Sequence, residues 1–156
     1  LPIHVVLYQP EIPANTANIA LTCAATKTAL HLIRPLGFST DEKMIERAGL
    51  DYWKSVNIMY YDSLEDFFAK NQGEFYYIET YGTKTHSSFD FSDREKEHYF
   101  MFGKETTGLP KDIHEKNKGH FLKIPMNDKV RSLNLSNTAA ILVYEAMRQQ
   151  GFPDLT

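Results

Sequence analysis

A single cysteine, Cys23, stands among 156 residues. No internal disulfide can form, and a reducing cytoplasm is the compartment such a chain suits. No apolar run approaches the roughly 20 residues that cross a bilayer, so no membrane partner is expected. The first residues, Ile3-His4-Val5-Val6-Leu7-Tyr8, read directly as a strand, without the basic region and small-residue cleavage site of a secretory leader. The six histidines, His4, His31, His86, His98, His114 and His120, have neither zincin nor zinc-finger spacing, and one thiol cannot build a thiolate cluster. No metal is expected. Positive charge is also scarce: a net charge of −3 argues against a protein that coats nucleic acid without specificity, since such binding rests on Lys and Arg neutralising phosphates. Repeats, linkers and low-complexity stretches are missing too, which predicts one domain over residues 1–156.

What the chain does contain is alternation. Strand-like runs at 3–8, 30–33, 56–61, 75–80, 99–102 and 121–124 alternate with helix-like segments at 15–26, 41–48, 63–70, 110–117 and 136–150. Several of the strands are almost continuously apolar. This combination predicts an α/β fold, a mostly parallel sheet with helices on both faces. In the last helix Ala139, Leu142, Val143, Ala146 and Met147 form one apolar stripe, Ser136 is placed to cap its start, and Gly151 and Pro153 end it. Ala140 and Tyr144 lie beside that stripe, as an ordinary buried edge or a subunit contact. Residues 83–97 are the most polar and read as an exposed loop or weak edge strand.

Three connections leaving strand ends are richer than a turn requires. In the first, Pro10-Glu11-Ile12-Pro13-Ala14-Asn15-Thr16-Ala17-Asn18, two prolines and two asparagines open a helix, where Asn15 could serve as a cap. In the second, Phe102-Gly103-Lys104-Glu105-Thr106-Thr107-Gly108-Leu109-Pro110, a glycine-bounded loop follows an apolar strand. Neither a P-loop lysine nor a Gly-x-Gly-x-x-Gly is present, so both common phosphate cradles fail. The third joins Ile124-Pro125-Met126 to Arg131-Ser132-Leu133-Asn134-Leu135-Ser136-Asn137, with more hydrogen-bonding groups than one helix cap consumes. Residues 111–131 also carry six basic side chains against three acidic ones, either an anion-facing patch or a lysine-rich solvated surface. No Ser-His-Asp, Cys-His or paired-carboxylate arrangement is evident, so chemistry here would come from a bound small polar ligand. On the loops alone, a nucleotide-binding α/β regulator and ordinary turn-forming βα loops remain open.

Taken together and in order, these three segments resemble the motifs of the SPOUT-class RNA 2′-O-ribose methyltransferases. The similarity spans nearly the whole chain and is closest to the minimal single-domain members that methylate the wobble nucleotide, cytidine or uridine, of certain tRNAs. Leu36-Gly37-Phe38 and Arg47-Ala48-Gly49-Leu50-Asp51-Tyr52 add to it. The resemblance implies a C-terminal deep trefoil knot and S-adenosyl-L-methionine as cofactor, with S-adenosyl-L-homocysteine as product. It places Ile78, Gly103, Ile124, Ser132 and Leu133 around the cofactor. Asn15, Glu105, Arg131 and Asn134 would stand at or brace the reacting centre, and Lys111, Lys129, Arg131 and Tyr144 would meet the anticodon stem-loop of tRNA. It also implies a cytoplasmic homodimer with the first and last helices at its interface. In the family the first motif usually reads Asn-Thr-Gly-Asn followed by an RNA-contacting arginine, whereas here Ala17 and Leu21 occupy those places. Either another cation such as Arg131 takes the arginine's part, or the chain is a homodimer that binds cofactor and RNA with impaired catalysis.

Overall fold

The opening strand becomes the middle of a sheet. In the computed structural model, which describes residues 2–38, 51–80, 82 and 84–156, strand β1 (Ile3–Tyr8) lies between β2 (Ala29–Ile33) and β6 (His98–Gly103), parallel to both. Strands β3 (Ile58–Tyr61), β4 (Glu74–Ile78), β5 (Lys84–Thr85) and β7 (Phe121–Lys123) complete the order β3-β2-β1-β6-β4-β7-β5, with parallel pairing throughout. Four α-helices accompany them among the described residues: α1 (Pro13–Thr26), α2 (Leu64–Lys70), α3 (Lys111–Lys116) and α4 (Leu135–Gln149). The helix expected at 41–48, the Arg47-Ala48-Gly49-Leu50 part of the family-like segment and Thr83 lie outside the described residues.

A parallel sheet needs apolar cover on both faces, and strand alternation divides it into two cores. Val5, Leu7, Leu30, Leu32, Phe100 and Phe102 pack with Ile19, Ala20 and Cys23 of α1 and with the whole predicted stripe of α4. On the opposite face Val6, Ile33, Tyr77, Tyr99 and Met101 pack with Phe67 of α2 and Ile113 of α3. That second face also buries a polar ladder. His4 Nδ1 and His31 Nε2 lie 2.9 Å apart, His31 Nδ1 is 2.8 Å from the Tyr61 hydroxyl, and His4 Nε2 is 3.2 Å from Glu97. Burial, with His4 nearby, pushes the His31 imidazole down to about 3.

Two local expectations change and a third gains an exception. Helix α1 begins at Pro13, whose missing N–H costs nothing in the first turn, so Asn15 sits inside the helix and is not its cap. Asn134, rather than Ser136, caps α4: its Oδ1 accepts the Ser136 N–H at 2.9 Å. The polar segment before β6 is mostly exposed and carries a weak edge strand, as its composition predicts, with one buried exception. It contributes the two-residue edge strand β5, and Phe91 within it is fully buried against Tyr76 and Phe100. Gln149 and Gln150 fix that turn, Gln150 Nε2 donating to the Phe91 carbonyl at 2.8 Å. One aromatic ring anchored from the far helix outweighs its polar neighbours.

Candidate active site

Parallel α/β sheets place ligands beyond the C-terminal ends of their strands. A cleft of about 340 Å³ lies there, at the ends of β4, β6 and β7 and between the N-termini of α1 and α4. All five expected cofactor residues, Ile78, Gly103, Ile124, Ser132 and Leu133, line it, as do Asn15, Glu105 and Asn134. The three polar connections therefore converge. Ile12, Phe102, Lys104, Met126 and Leu135 join the lining from within the three segments, whereas Glu79, Thr80 and Thr138 lie outside those segments and were missed. Glu79 and Thr80 follow Ile78 directly, so the signal for them was adjacency along a strand end.

The loops are tied to one another. The Glu11 N–H donates to Glu105 Oε2 at 2.8 Å, while Glu11 Oε1 accepts from the Thr106 N–H at 3.2 Å and from its hydroxyl at 2.9 Å. This double clasp fastens the connection after β1 to that after β6. Gly37 lies against the same connection, its N–H donating to the Pro10 carbonyl at 2.9 Å, and the Tyr52 hydroxyl donates to the Ala17 carbonyl at 2.8 Å. Glu79 accepts the Leu109 N–H at 3.2 Å, fixing the far end of the second loop.

Gly103 is required sterically. Its φ is +106°, and a Cβ there would stand 2.5 Å from the Tyr8 carbonyl oxygen. Apolar Ile78, Phe102, Ile124 and Leu133 make walls that fit an aromatic base and a thioether, while Asn15, Glu79 and Asn134 supply polar positions, the usual balance of a small-molecule site. The second oxygen of Glu105, Oε1, is buried without a hydrogen-bond partner among the described residues, and a donor group of a polar ligand would satisfy it. The residues present thus fit an adenosyl-type cofactor.

The remaining expected residues stand elsewhere. Lys111, Lys129 and Arg131 are exposed and do not line the cleft. Tyr144 is 44% exposed on α4 and borders a second hollow with Ala24, Lys27 and Phe152. Leu21, also outside the cleft lining, is 49% exposed on α1. Cys23 is buried, and burial pushes its thiol up to about 12, so it is inert. Among the described residues no group of His, Cys, Asp and Glu could hold a metal ion, and no helix is long and apolar enough to cross a membrane.

A parallel sheet carrying a clasped three-loop cleft at its strand ends defines an α/β protein of the ligand-at-the-strand-end type. The chain belongs to the SpoU rRNA Methylase family, which it matches over residues 2–144. A Geobacillus stearothermophilus protein, named as a candidate tRNA (cytidine(34)-2′-O)-methyltransferase, is 66% identical over 157 residues, with 100% of both chains covered. The tRNA (cytidine(34)-2′-O)-methyltransferase of Escherichia coli K12 is 42% identical over 153 residues, covering 97% of this chain and 96% of its own. Among solved structures, a Bacillus anthracis protein described as a candidate RNA methyltransferase superposes with a TM-score of 0.96 at 69% identity, covering 98% of this chain and 97% of its own. A structure described by the 2-OH methylation of C/U34 on tRNA has a TM-score of 0.85 at 40% identity, covering 96% of this chain and 91% of its own. The Streptomyces viridochromogenes SpoU methyltransferase AviRb, in complex with AdoMet, shares the fold with a TM-score of 0.79 at 22% identity, covering 94% of this chain and 60% of its own.

Proposed function

We propose that the chain is a tRNA 2′-O-ribose methyltransferase acting on the wobble nucleotide, cytidine or uridine 34, with S-adenosyl-L-methionine as methyl donor. The observation that carries this is the convergence of all three family-like segments on one cleft of the right size and chemistry. When bound, the cofactor supplies an electrophilic methyl group on a sulfonium. Ile78, Gly103, Ile124, Ser132 and Leu133 hold it, chiefly through apolar contact and the open backbone at Gly103. Asn15, at 6% exposure, has its side chain at the base of α1 and orients the incoming ribose together with Asn134, whose Oδ1 is committed to the α4 cap and whose Nδ2 makes no hydrogen bond among the described residues. Glu105 braces the second loop through Glu11. Alignment of oxygen, carbon and sulfur in such a preset site supplies much of the acceleration of an in-line displacement.

The same reading assigns Lys111, Lys129 and Arg131 to the phosphates of a splayed anticodon loop, where single-stranded bases and riboses are accessible. It assigns the exposed apolar surface of the first and last helices, with Ile141 and Tyr144, to a homodimer interface in a cytoplasmic, single-domain protein whose C-terminus carries the trefoil knot of its class. One observation favours a second reading, a homodimer that binds cofactor and tRNA without turnover: Leu21 stands where the family has arginine. Digestion of methylated tRNA followed by mass spectrometry tests the assignment. A ribose methyl group at nucleotide 34 is expected; one at any other nucleotide refutes the wobble assignment.

A further inference from the structure

Neither position 21 nor Arg131 brings a cation to the cleft lining. One basic residue does. Among the described residues Lys104 is the sole Lys or Arg lining the cleft, it is partly buried, and its ammonium makes no hydrogen bond, ion pair or ring contact there. Two carboxylates, Glu79 and Glu105, share the cleft with it, and among the described residues neither is paired with its ammonium. Glu105 commits Oε2 to the Glu11 N–H, Glu11 commits Oε1 to Thr106, and Glu79 accepts the Leu109 N–H. The backbone carrying Lys104 is nonetheless fixed: its carbonyl accepts the Gly108 N–H at 2.8 Å, and the next residue is held by the clasp.

An ammonium on a partly buried side chain, with no acid partner among the described residues and on a loop tied at both ends, can hold an oxyanion. Two oxyanions could arrive, a phosphate of the RNA backbone or the carboxylate of the cofactor. The surroundings favour the phosphate. Thr106 and Thr107, just beyond Lys104, are exposed, and the same loop runs into α3 with exposed Lys111 at its head, so a second cation lies further along the same loop.

We infer that Lys104 binds a backbone phosphate beside the target ribose and so performs, from the second loop, the substrate-holding part that an arginine at position 21 would otherwise play. This rests on the proposed methyltransferase reading. It makes Lys104 an RNA-specific contact: a phosphate holds the strand and its ribose in register with the cleft without reading the base.

The test compares the wild-type chain with Lys104→Ala and Lys104→Arg in two binding measurements. One is calorimetric titration with S-adenosyl-L-homocysteine, and the other is binding of unmodified tRNA at several salt concentrations. For Lys104→Ala we expect cofactor-product affinity unchanged, tRNA affinity lower by about tenfold, as for one lost charge-assisted hydrogen bond, and a dependence of log K on log salt shallower by about 0.7. KM for tRNA rises accordingly, and Lys104→Arg restores most of the affinity. If Lys104→Ala instead loses S-adenosyl-L-homocysteine affinity while its salt slope stays at the wild-type value, the ammonium serves the cofactor and the inference is overturned. Unchanged values in both measurements overturn it as well, while leaving the methyltransferase reading intact. A wild-type chain that binds no tRNA overturns that reading and this inference with it.

Discussion

Replacing Gly103 by alanine should damage folding and cofactor binding together, because one backbone position serves both. The φ of +106° is unfavourable for any L side chain, and a Cβ would stand 2.5 Å from the carbonyl oxygen of Tyr8 in the central strand β1. Backbone strain of this kind costs about 1–3 kcal/mol and forced overpacking a similar amount, about 1–3 kcal/mol. Partial relaxation of the loop brings the expected total to about 3 kcal/mol, a fall in Tm of about 6–12 °C for a domain of this size. The relaxation is itself informative: Tyr8 is held in register with Ile33 and Gly103, so the second loop must yield, and that loop walls the cleft. S-adenosyl-L-homocysteine at a hundredfold its Kd should stabilise the wild-type chain by about 2.7 kcal/mol and Gly103→Ala by much less. Thermal unfolding with and without the ligand measures both effects. A variant that melts within about 2 °C of wild type and gains the full ligand shift would refute the steric argument.

Other consequences follow from the same geometry. Glu11→Ala removes the acceptor for the Thr106 N–H and hydroxyl, and should weaken S-adenosyl-L-homocysteine binding by about tenfold while lowering stability by only about 1 kcal/mol, since those contacts face solvent; calorimetry and urea unfolding separate the two. Phe91→Ala, which empties a fully buried site between Tyr76 and Phe100, should cost about 3–5 kcal/mol and lower the urea midpoint without altering the m-value. Acid should destabilise the fold through His31. Its folded value of about 3 lies below the ordinary value near 6.5, so the unfolded chain binds the extra proton first, and the stability present above that ordinary value is lost progressively as pH falls toward about 3. The limiting slope for this one proton is about 1.4 kcal/mol per pH unit, and denaturant midpoints for wild type and His31→Asn should diverge across that window.

The sheet and the last helix could be read from the chain because their signal is local and periodic. Val5 and Leu7 alternate with Val6, Phe100 and Phe102 with Tyr99 and Met101, and the α4 stripe recurs with the helical repeat, each pattern reporting which face is covered. What could not be read depends on partners far along the chain. Phe91 is buried because Tyr76, Phe100 and two glutamines of the last helix surround it, and no neighbour in sequence announces that. Asn134 takes the cap over Ser136 because the chain enters α4 one residue earlier than the polar cluster implied. At the cleft, residue types and motif order located the three loops, whereas the Glu11 clasp and the place of Lys104 in the lining emerge only when the ends of β1 and β6 are brought side by side. The exposed cations at 111, 129 and 131 illustrate the reverse: their composition marked a charged surface, but not its position relative to the cleft.

Methyl transfer from labelled S-adenosyl-L-methionine to unmodified tRNA, measured side by side for the wild-type chain and Leu21→Arg, bears most directly on the proposed activity. The account predicts that the wild-type chain turns over, using the cleft and Lys104 without an arginine at position 21. Turnover confined to the Leu21→Arg form would contradict it and leave a cofactor- and RNA-binding protein in place of an enzyme.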